Sequence, residues 1–124
     1  MTRIACLMFA VVSLLACGKH TEVHPAVPSA AAEDARSMFK TVCAACHGEA
    51  GKGDGIAAAS LNPKPRDYTD NAWQRSVTDD HIREIILKGG AALGKSPLMP
   101  AQPQLAEKPE VVDELVKIVR SFGA

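Results

Sequence analysis

Apolar residues recur with helical spacing in three stretches of the chain. Ala35, Phe39 and Cys43 fall at successive i, i+4 positions, so a small residue and an aromatic ring share one helical stripe. In the middle, Ile82, Ile85 and Ile86 supply an apolar face. Thr78 is the expected N-cap of that helix, Asp79 and Asp80 complement its positive dipole end, and Gly89-Gly90 stops it after Lys88. Towards the end, Pro109 suits a first helical position, and Val111, Leu115, Ile118, Val119 and Phe122 keep a helical period up to Gly123. No stretch alternates as a strand does, and no internal repeat is visible. The pattern predicts an all-α domain.

The beginning reads differently. After Thr2-Arg3, Ile4 to Ala16 is an uncharged, mostly apolar run, shorter than the roughly 20 residues that a membrane-spanning helix needs. It has the proportions of a signal-peptide core. It ends in Leu14-Leu15-Ala16-Cys17, which resembles the lipobox of bacterial lipoproteins. That resemblance implies cleavage before Cys17, a diacylglycerol on its thiol and acylation of the new amino terminus; more than one acyl chain gives stable anchoring. Ordinary cleavage after Gly18 is the alternative, and would leave the protein soluble in the periplasm. The expected organisation is a signal peptide over 1–16, a lipidated cysteine and flexible tether over 17–32, and a folded domain over 33–124. Pro25, Pro28 and Ser29 lie in the tether, as do His20 and His24, read as solvated side chains. About 15 flexible residues reach on the order of 20 Å. The expected location is the periplasmic side of a bacterial membrane.

Composition narrows the function. A length of 124 residues fits one domain, and a formal net charge of zero argues against a nucleic-acid partner. Three Phe, one Trp and one Tyr are a thin supply of large core side chains, which suggests that the fold borrows apolar bulk from another group. Of the four cysteines, Cys6 leaves with the signal and Cys17 is lipidated or removed, so Cys43 and Cys46 remain.

Those two belong to Cys43-Ala44-Ala45-Cys46-His47, the C-x-x-C-H arrangement that attaches c-type haem. Positions i, i+3 and i+4 share a helical face, so both thiols can add to the haem vinyl groups while His47 reaches the iron. A thioredoxin-like redox pair would need a βαβ setting, and no strand pattern precedes it. A zinc site would need further ligands, for which only His81 remains in the folded region. The second axial ligand is read by elimination. Met1 and Met8 leave with the signal, and Met38 sits on the helix leading into the proximal side. Met99 remains, in Ser96-Pro97-Leu98-Met99-Pro100, where two prolines stiffen the backbone. His81 is the runner-up; its neighbours Asp79, Asp80 and Arg83 suggest a solvated face.

From about Glu33 onward the chain resembles a small monohaem cytochrome c with His/Met ligation. The resemblance implies three to four helices wrapped around one covalently bound haem c, with the first and last helices crossing near the attachment motif. Ile118 stands where many relatives carry an aromatic that packs on the first helix; an absent aromatic pair would weaken that contact by about 1 kcal/mol. The glycines of Gly51-Lys52-Gly53-Asp54-Gly55 fail as a phosphate loop, since no strand precedes them and no Lys-Ser/Thr follows. The resemblance instead implies a turn that lets backbone pass close to the porphyrin. It also implies a proline carbonyl, from Pro63 or Pro65, that accepts the second N–H of the proximal imidazole. Arg66, Tyr68 and Trp73 resemble groups that such cytochromes aim at haem propionates; simple core filling by the tyrosine and tryptophan is the alternative.

The expected function is electron transfer between redox protein partners, without catalysis and without a small-molecule substrate, because His47 and Met99 would occupy both axial positions. Gly89-Gly90-Ala91-Ala92-Leu93-Gly94 and Ala44-Ala45 are expected to frame the docking surface, with Lys52, Lys88 and Lys95 steering an acidic partner. Two alternatives stay open: a haem subunit of a larger membrane-bound oxidoreductase, and a sensor or enzyme in which Met99 leaves the iron.

Overall fold

The computed structural model describes residues 28–124. The signal-like run, Cys17, His20, His24 and most of the tether lie outside the described residues. Five α-helices follow one another: α1 (Ala30–Met38), α2 (Ala44–His47), α3 (Asn71–Ser76), α4 (Asp79–Ala92) and α5 (Pro109–Ser121). Single 3₁₀ turns at Ile56–Ser60 and Pro103–Glu107 interrupt the connections. The all-α expectation holds: there is no strand among the described residues. None of their helices is long and apolar enough to cross a membrane.

The first helix starts at Ala30, inside the segment read as tether. The Ser29 hydroxyl caps it, accepting the N–H of Ala32 at 3.2 Å. Ala30 to Ala32 show no apolar period, but alanine is the strongest helix former, and a capped run of it folds without one.

Between α1 and α2 the helical rod passes through one π-helical turn, Phe39–Cys43, in which the N–H of Ala44 donates to the carbonyl of Phe39. The wide turn absorbs one residue and re-phases everything after it. Buried positions along the rod are therefore Ala35, Phe39, Ala44 and His47, with a gap of five where a regular helix has three or four. The i, i+4 stripe predicted through Cys43 breaks here: Ala44 continues the buried face and Cys43 stands half-buried beside it. The same shift brings His47 onto the face that Ala35 and Phe39 occupy.

That face packs on α5, whose Val111, Val112, Leu115, Val116 and Val119 are all buried. Ala35 is fully buried, so the two backbones approach closely there. Ile118 only packs at the margin of this core, as its half-buried state shows. The aromatic contact thought missing is nevertheless present one turn later. Phe122 sits 5.4 Å from Phe39, centroid to centroid, at 36°. Phe122 continues to Tyr68 at 6.2 Å, so an aromatic file runs from the helix pair towards the loops. Gly51, at φ 71°, makes room for it: a Cβ there would lie 2.7 Å from the Phe122 ring.

The remaining helices are set by their caps. Asp70 caps α3, accepting from Ala72 and Trp73 at 2.9 and 3.1 Å, and Thr78 caps α4, accepting from His81 at 3.1 Å. Helix α4 does not simply stop at the glycine pair. Gly89 leaves helical geometry (φ 77°, ψ 170°), and one further turn runs to Ala92. Ile82 is its buried anchor; Ile86 and Leu87 pack at the core margin, while Ile85 does not.

Replacing Ala35 with leucine should cost about 1–3 kcal/mol, because the extra methylenes must enter a closed helix contact. Leucine at the exposed neighbour Arg36 should change stability by less than about 0.5 kcal/mol. Denaturant unfolding of the two variants measures the difference.

Candidate functional site

Cys43 ends the π-turn, and Cys46 and His47 follow on α2. Both cysteines are free and half-buried. Burial pushes the Cys43 thiol up to about 11, helped by the neighbouring sulfur of Cys46, so it stays protonated at neutral pH. His47 is buried, and its Nδ1 lies 3.1 Å from the carbonyl oxygen of Arg66. A carbonyl only accepts, so Nδ1 carries the hydrogen and donates it, and Nε2 keeps a lone pair. Burial lowers the imidazole pKa below its ordinary value, with the Arg66 carbonyl opposing. The ring is thus held neutral, with one nitrogen free to bind a metal.

The carbonyl on His47 belongs to Arg66, not to Pro63 or Pro65. Pro63 is exposed. The Pro65 carbonyl is turned towards Gly53, 2.5 Å from where a Cβ of that glycine would stand. With Pro65 committed there, the next carbonyl along the chain reaches the imidazole.

The loop that delivers it folds back on the attachment helix. Gly48, at φ 78°, ends α2. The N–H groups of Gly53 and Gly55 then donate to the carbonyls of His47 and Cys46, at 2.8 and 3.1 Å. Gly55 lies directly against the carbonyls of Ala44 and Ala45, where no side chain fits. The close approaches of Gly53 and Gly55 are to protein backbone, that of Gly48 is to the Asp54 carboxylate, and that of Gly51 is to Phe122. Beyond Arg66, the Asp67 carboxylate accepts the backbone N–H and hydroxyl of Thr69 at 2.8 and 2.7 Å. The N–H of Tyr68 donates to the carbonyl of Gly51 at 2.7 Å.

Arg66, Tyr68 and Trp73 do come together, in an arrangement the sequence did not suggest. The Tyr68 ring stacks on His47, with centroids 4.5 Å apart and planes at 14°. Tyr68 is 7% exposed, and its hydroxyl makes no hydrogen bond to the described residues. Burial and the two cysteine sulfurs raise its pKa far above the ordinary phenol value. Trp73 lies 5.5 Å from Tyr68, and the half-exposed Arg66 guanidinium stands over the indole at 5.7 Å and pairs with Asp70 at 3.7 Å.

Met99 lies on the segment after α4, and the glycine pair is its seat. Gly90 donates its N–H to the Met99 carbonyl at 3.0 Å, and Met99 donates to Ser96 at 3.2 Å. A Cβ at Gly89 would be 3.0 Å from the Met99 carbonyl oxygen, and one at Gly90 would collide with the Ser96 carbonyl. Gly89, Gly90 and Ala44 are consequently buried, so they do not belong to the surface predicted for docking; Ala45, Ala91, Ala92 and Gly94 are exposed. Lys88 is paired with Glu84 at 2.7 Å, which reduces the steering charge. Met38 packs on the terminal-helix core. Met99 is half-buried outside it, as are Leu61, Ile85 and Leu93. His81 is half-buried in the first turn of α4.

These features fit a covalently held haem. Two free thiols and a neutral imidazole with an open nitrogen share one short stretch of helix. Apolar side chains from three other segments are left half-covered. Among the described residues no group of three or more His, Cys, Asp or Glu could hold a metal ion.

The family described as "Cytochrome C oxidase, cbb3-type, subunit III" matches residues 30–118. The chain belongs to this family. It is a c-type cytochrome whose cofactor is a covalently bound, iron-containing haem c, and its activity is haem-based electron transfer with redox protein partners. Cytochrome c domains typically lie on the periplasmic or extracellular side of a membrane. No curated protein and no solved structure gave a match to the chain.

The Asp67 turn gives a pH dependence of known sign. The Thr69 hydroxyl, then its N–H, hold the Asp67 carboxyl below the usual carboxylate range in the folded cytochrome. The unfolded chain therefore takes up this proton first as pH falls. The contribution is complete above the ordinary aspartate pKa of about 4 and lost as pH drops through the lower folded value. Thr69→Val should raise the Asp67 pKa and shrink this acid-side change in stability; NMR titration of the Asp67 carboxyl measures it.

Proposed function

We propose that this cytochrome is a single-electron carrier in which Cys43 and Cys46 hold the haem as thioethers and His47 and Met99 supply its axial ligands. It would work at the periplasmic face of a bacterial membrane, tethered through a lipid on Cys17. The observation that carries this reading is the His47 imidazole, buried, neutral and donating from Nδ1 to Arg66, with Nε2 left for iron.

When bound, the haem supplies a one-electron iron couple whose potential a His/Met ligand pair raises. The protein's residues do the rest. Cys43 and Cys46 fix the group irreversibly, so its retention does not depend on a binding equilibrium. The Arg66 carbonyl orients His47 and raises its basicity as a ligand. Met99, on a backbone braced by Gly90 and flanked by Pro97 and Pro100, would supply the second ligand. Were both axial ligands supplied by the chain, no position would be left for a substrate, and the domain would have no catalysis of its own. Leu61, Ile85 and Leu93 would exclude water. Arg66 and Trp73, with the Tyr68 hydroxyl, offer donors for propionates. Lys52 and Lys95, both exposed, remain to attract an acidic partner.

A second reading has its own support: the matching family is described as an oxidase subunit. A haem subunit of a larger membrane-bound oxidoreductase would co-purify with stoichiometric partners, whereas a free carrier would be released as a monomer when the tether is cut.

Mass spectrometry of the mature protein should show one covalent haem and an acylated Cys17; free thiols at Cys43 and Cys46 would overturn the attachment. The ferric protein should show a sulfur-to-iron charge-transfer band that Met99→Ala abolishes. Gly90→Ala should weaken the same band while leaving the haem attached, because the added methyl displaces Ser96 and the Met99 backbone. A band unchanged in Met99→Ala would remove the methionine from the ligand set.

A further inference from the structure

The His47 ring is restrained by two contacts, and both come from one three-residue segment. The Arg66 carbonyl accepts from Nδ1, and Tyr68, two residues on, lies flat against the imidazole. Whatever fixes this segment fixes the plane of the imidazole. On one side, the Tyr68 N–H is held by the Gly51 carbonyl. On the other, the Tyr68 carbonyl accepts from Gln74 Nε2 at 2.7 Å.

Gln74 is itself saturated. Its Nε2 also donates to the Val119 carbonyl at 2.9 Å, so one amide ties the Tyr68 segment to α5. Arg120 Nη1 donates to the Gln74 carbonyl at 2.6 Å and to its Oε1 at 3.0 Å. The rest of that guanidinium is also used: Nη2 donates to the Val77 carbonyl at 2.7 Å, and Nε to Asp79 at 2.8 Å. A side chain with every polar atom engaged has little freedom to drift. Gly123 leaves space for it, since a Cβ there would stand 2.5 Å from Gln74 Cγ.

We infer that Gln74, braced by Arg120, is a positioning residue for the axial imidazole: it holds the Tyr68 segment so that ring and carbonyl together set the orientation of His47. This rests on the reading of His47 as an iron ligand. The strut acts at a distance, because neither Gln74 nor Arg120 touches the imidazole. Loosening it lets Tyr68 tilt and lengthens the hydrogen bond from Nδ1, which changes how strongly Nε2 donates.

The test uses the haem-loaded protein. Gln74→Glu is nearly isosteric but cannot donate to the Tyr68 and Val119 carbonyls when ionised; Arg120→Lys keeps the charge and loses the fork. Tyr68→Phe keeps the stacked ring, and Tyr68→Leu removes it. Arg83→Gln is the control: it breaks an equally well-formed pair with Asp80 and Asp113, between α4 and α5, without reaching Tyr68. Two readouts follow the imidazole rather than stability, namely the hyperfine-shifted ring and haem-methyl resonances of the ferric state and the midpoint potential. Gln74→Glu and Tyr68→Leu should displace both readouts in the same direction, and Arg120→Lys should do so by less. Tyr68→Phe, which keeps the stacked ring and loses only the hydroxyl offered to a propionate, should leave the His47 ring resonances in place, and Arg83→Gln should leave the whole pattern as in the wild type. If Gln74→Glu and Arg120→Lys lower the melting temperature as Arg83→Gln does, with resonances and potential unmoved, the positioning role is overturned and the strut is only structural. Failure of the underlying reading shows separately, as wild-type protein without hyperfine-shifted histidine resonances.

Discussion

A neutral imidazole buried against a backbone carbonyl is the constraint around which this cytochrome is built. Burying His47 is tolerable only if its N–H finds an acceptor and its ring finds company. The Arg66 carbonyl and the Tyr68 ring provide these. Much of the chain between residues 48 and 70 can be understood as the means of delivering that carbonyl. Gly48 turns the chain out of the helix, Gly53 and Gly55 bond back onto it, and Gly53 accepts the close approach of Pro65. A side chain at Gly53 or Gly55 would meet the carbonyl of Pro65 or those of Ala44 and Ala45, and would push the loop away from the imidazole and leave a buried donor without a partner.

The terminal helices supply the frame, and the π-turn couples it to the site. Without the extra residue of that turn, a helix that buried Ala35 and Phe39 against α5 would carry His47 away from the same face. With it, one continuous rod serves both the core and the attachment motif. The aromatic file from Phe39 through Phe122 and Tyr68 to His47 then joins the helix contact to the imidazole by ring-to-ring packing. The thin aromatic content of the chain is concentrated along this line. The apolar residues Leu61, Ile85, Leu93 and Met99 stay half-covered outside this line.

The attachment motif was legible because its chemistry dictates spacing: two thiols and an imidazole must share one helical face. The middle and last helices were legible too, since Thr78, Gly89, Pro109 and a period of apolar residues are local signals. What escaped was set by tertiary contact. Nothing local marks the π-turn; only the packing of Phe39 and His47 on one face demands it. The Arg66 carbonyl escaped because any residue can present one, and the choice among neighbours depends on Gly53 being pressed against Pro65. The stack of Tyr68 on His47 is a meeting of residues from separate segments. Helix α3 was too short for a period, although its cap Asp70 was a readable sign. The aromatic partner of Phe39 was sought at Ile118 and found at Phe122.

The two sides of the site are held by different kinds of interaction. On the His47 side, side-chain hydrogen bonds, stacked rings and the core between α1 and α5 act together, so displacing the imidazole requires disturbing the frame. On the Met99 side, three backbone bonds brace the segment: Met99 carbonyl to Gly90, Gln102 to the Ile86 carbonyl, and Lys95 to the Gly90 carbonyl. Leu98 beside it is 53% exposed, and little of the segment except Leu105 enters the core. Local opening is easiest where few buried contacts are lost. The flanking prolines suit this situation, since they reduce the alternatives open to the loop, while the glycine pair leaves room for the Ser96 and Met99 backbone to come close. The structure thus holds His47 by the core and the Met99 segment chiefly by its own backbone bonds.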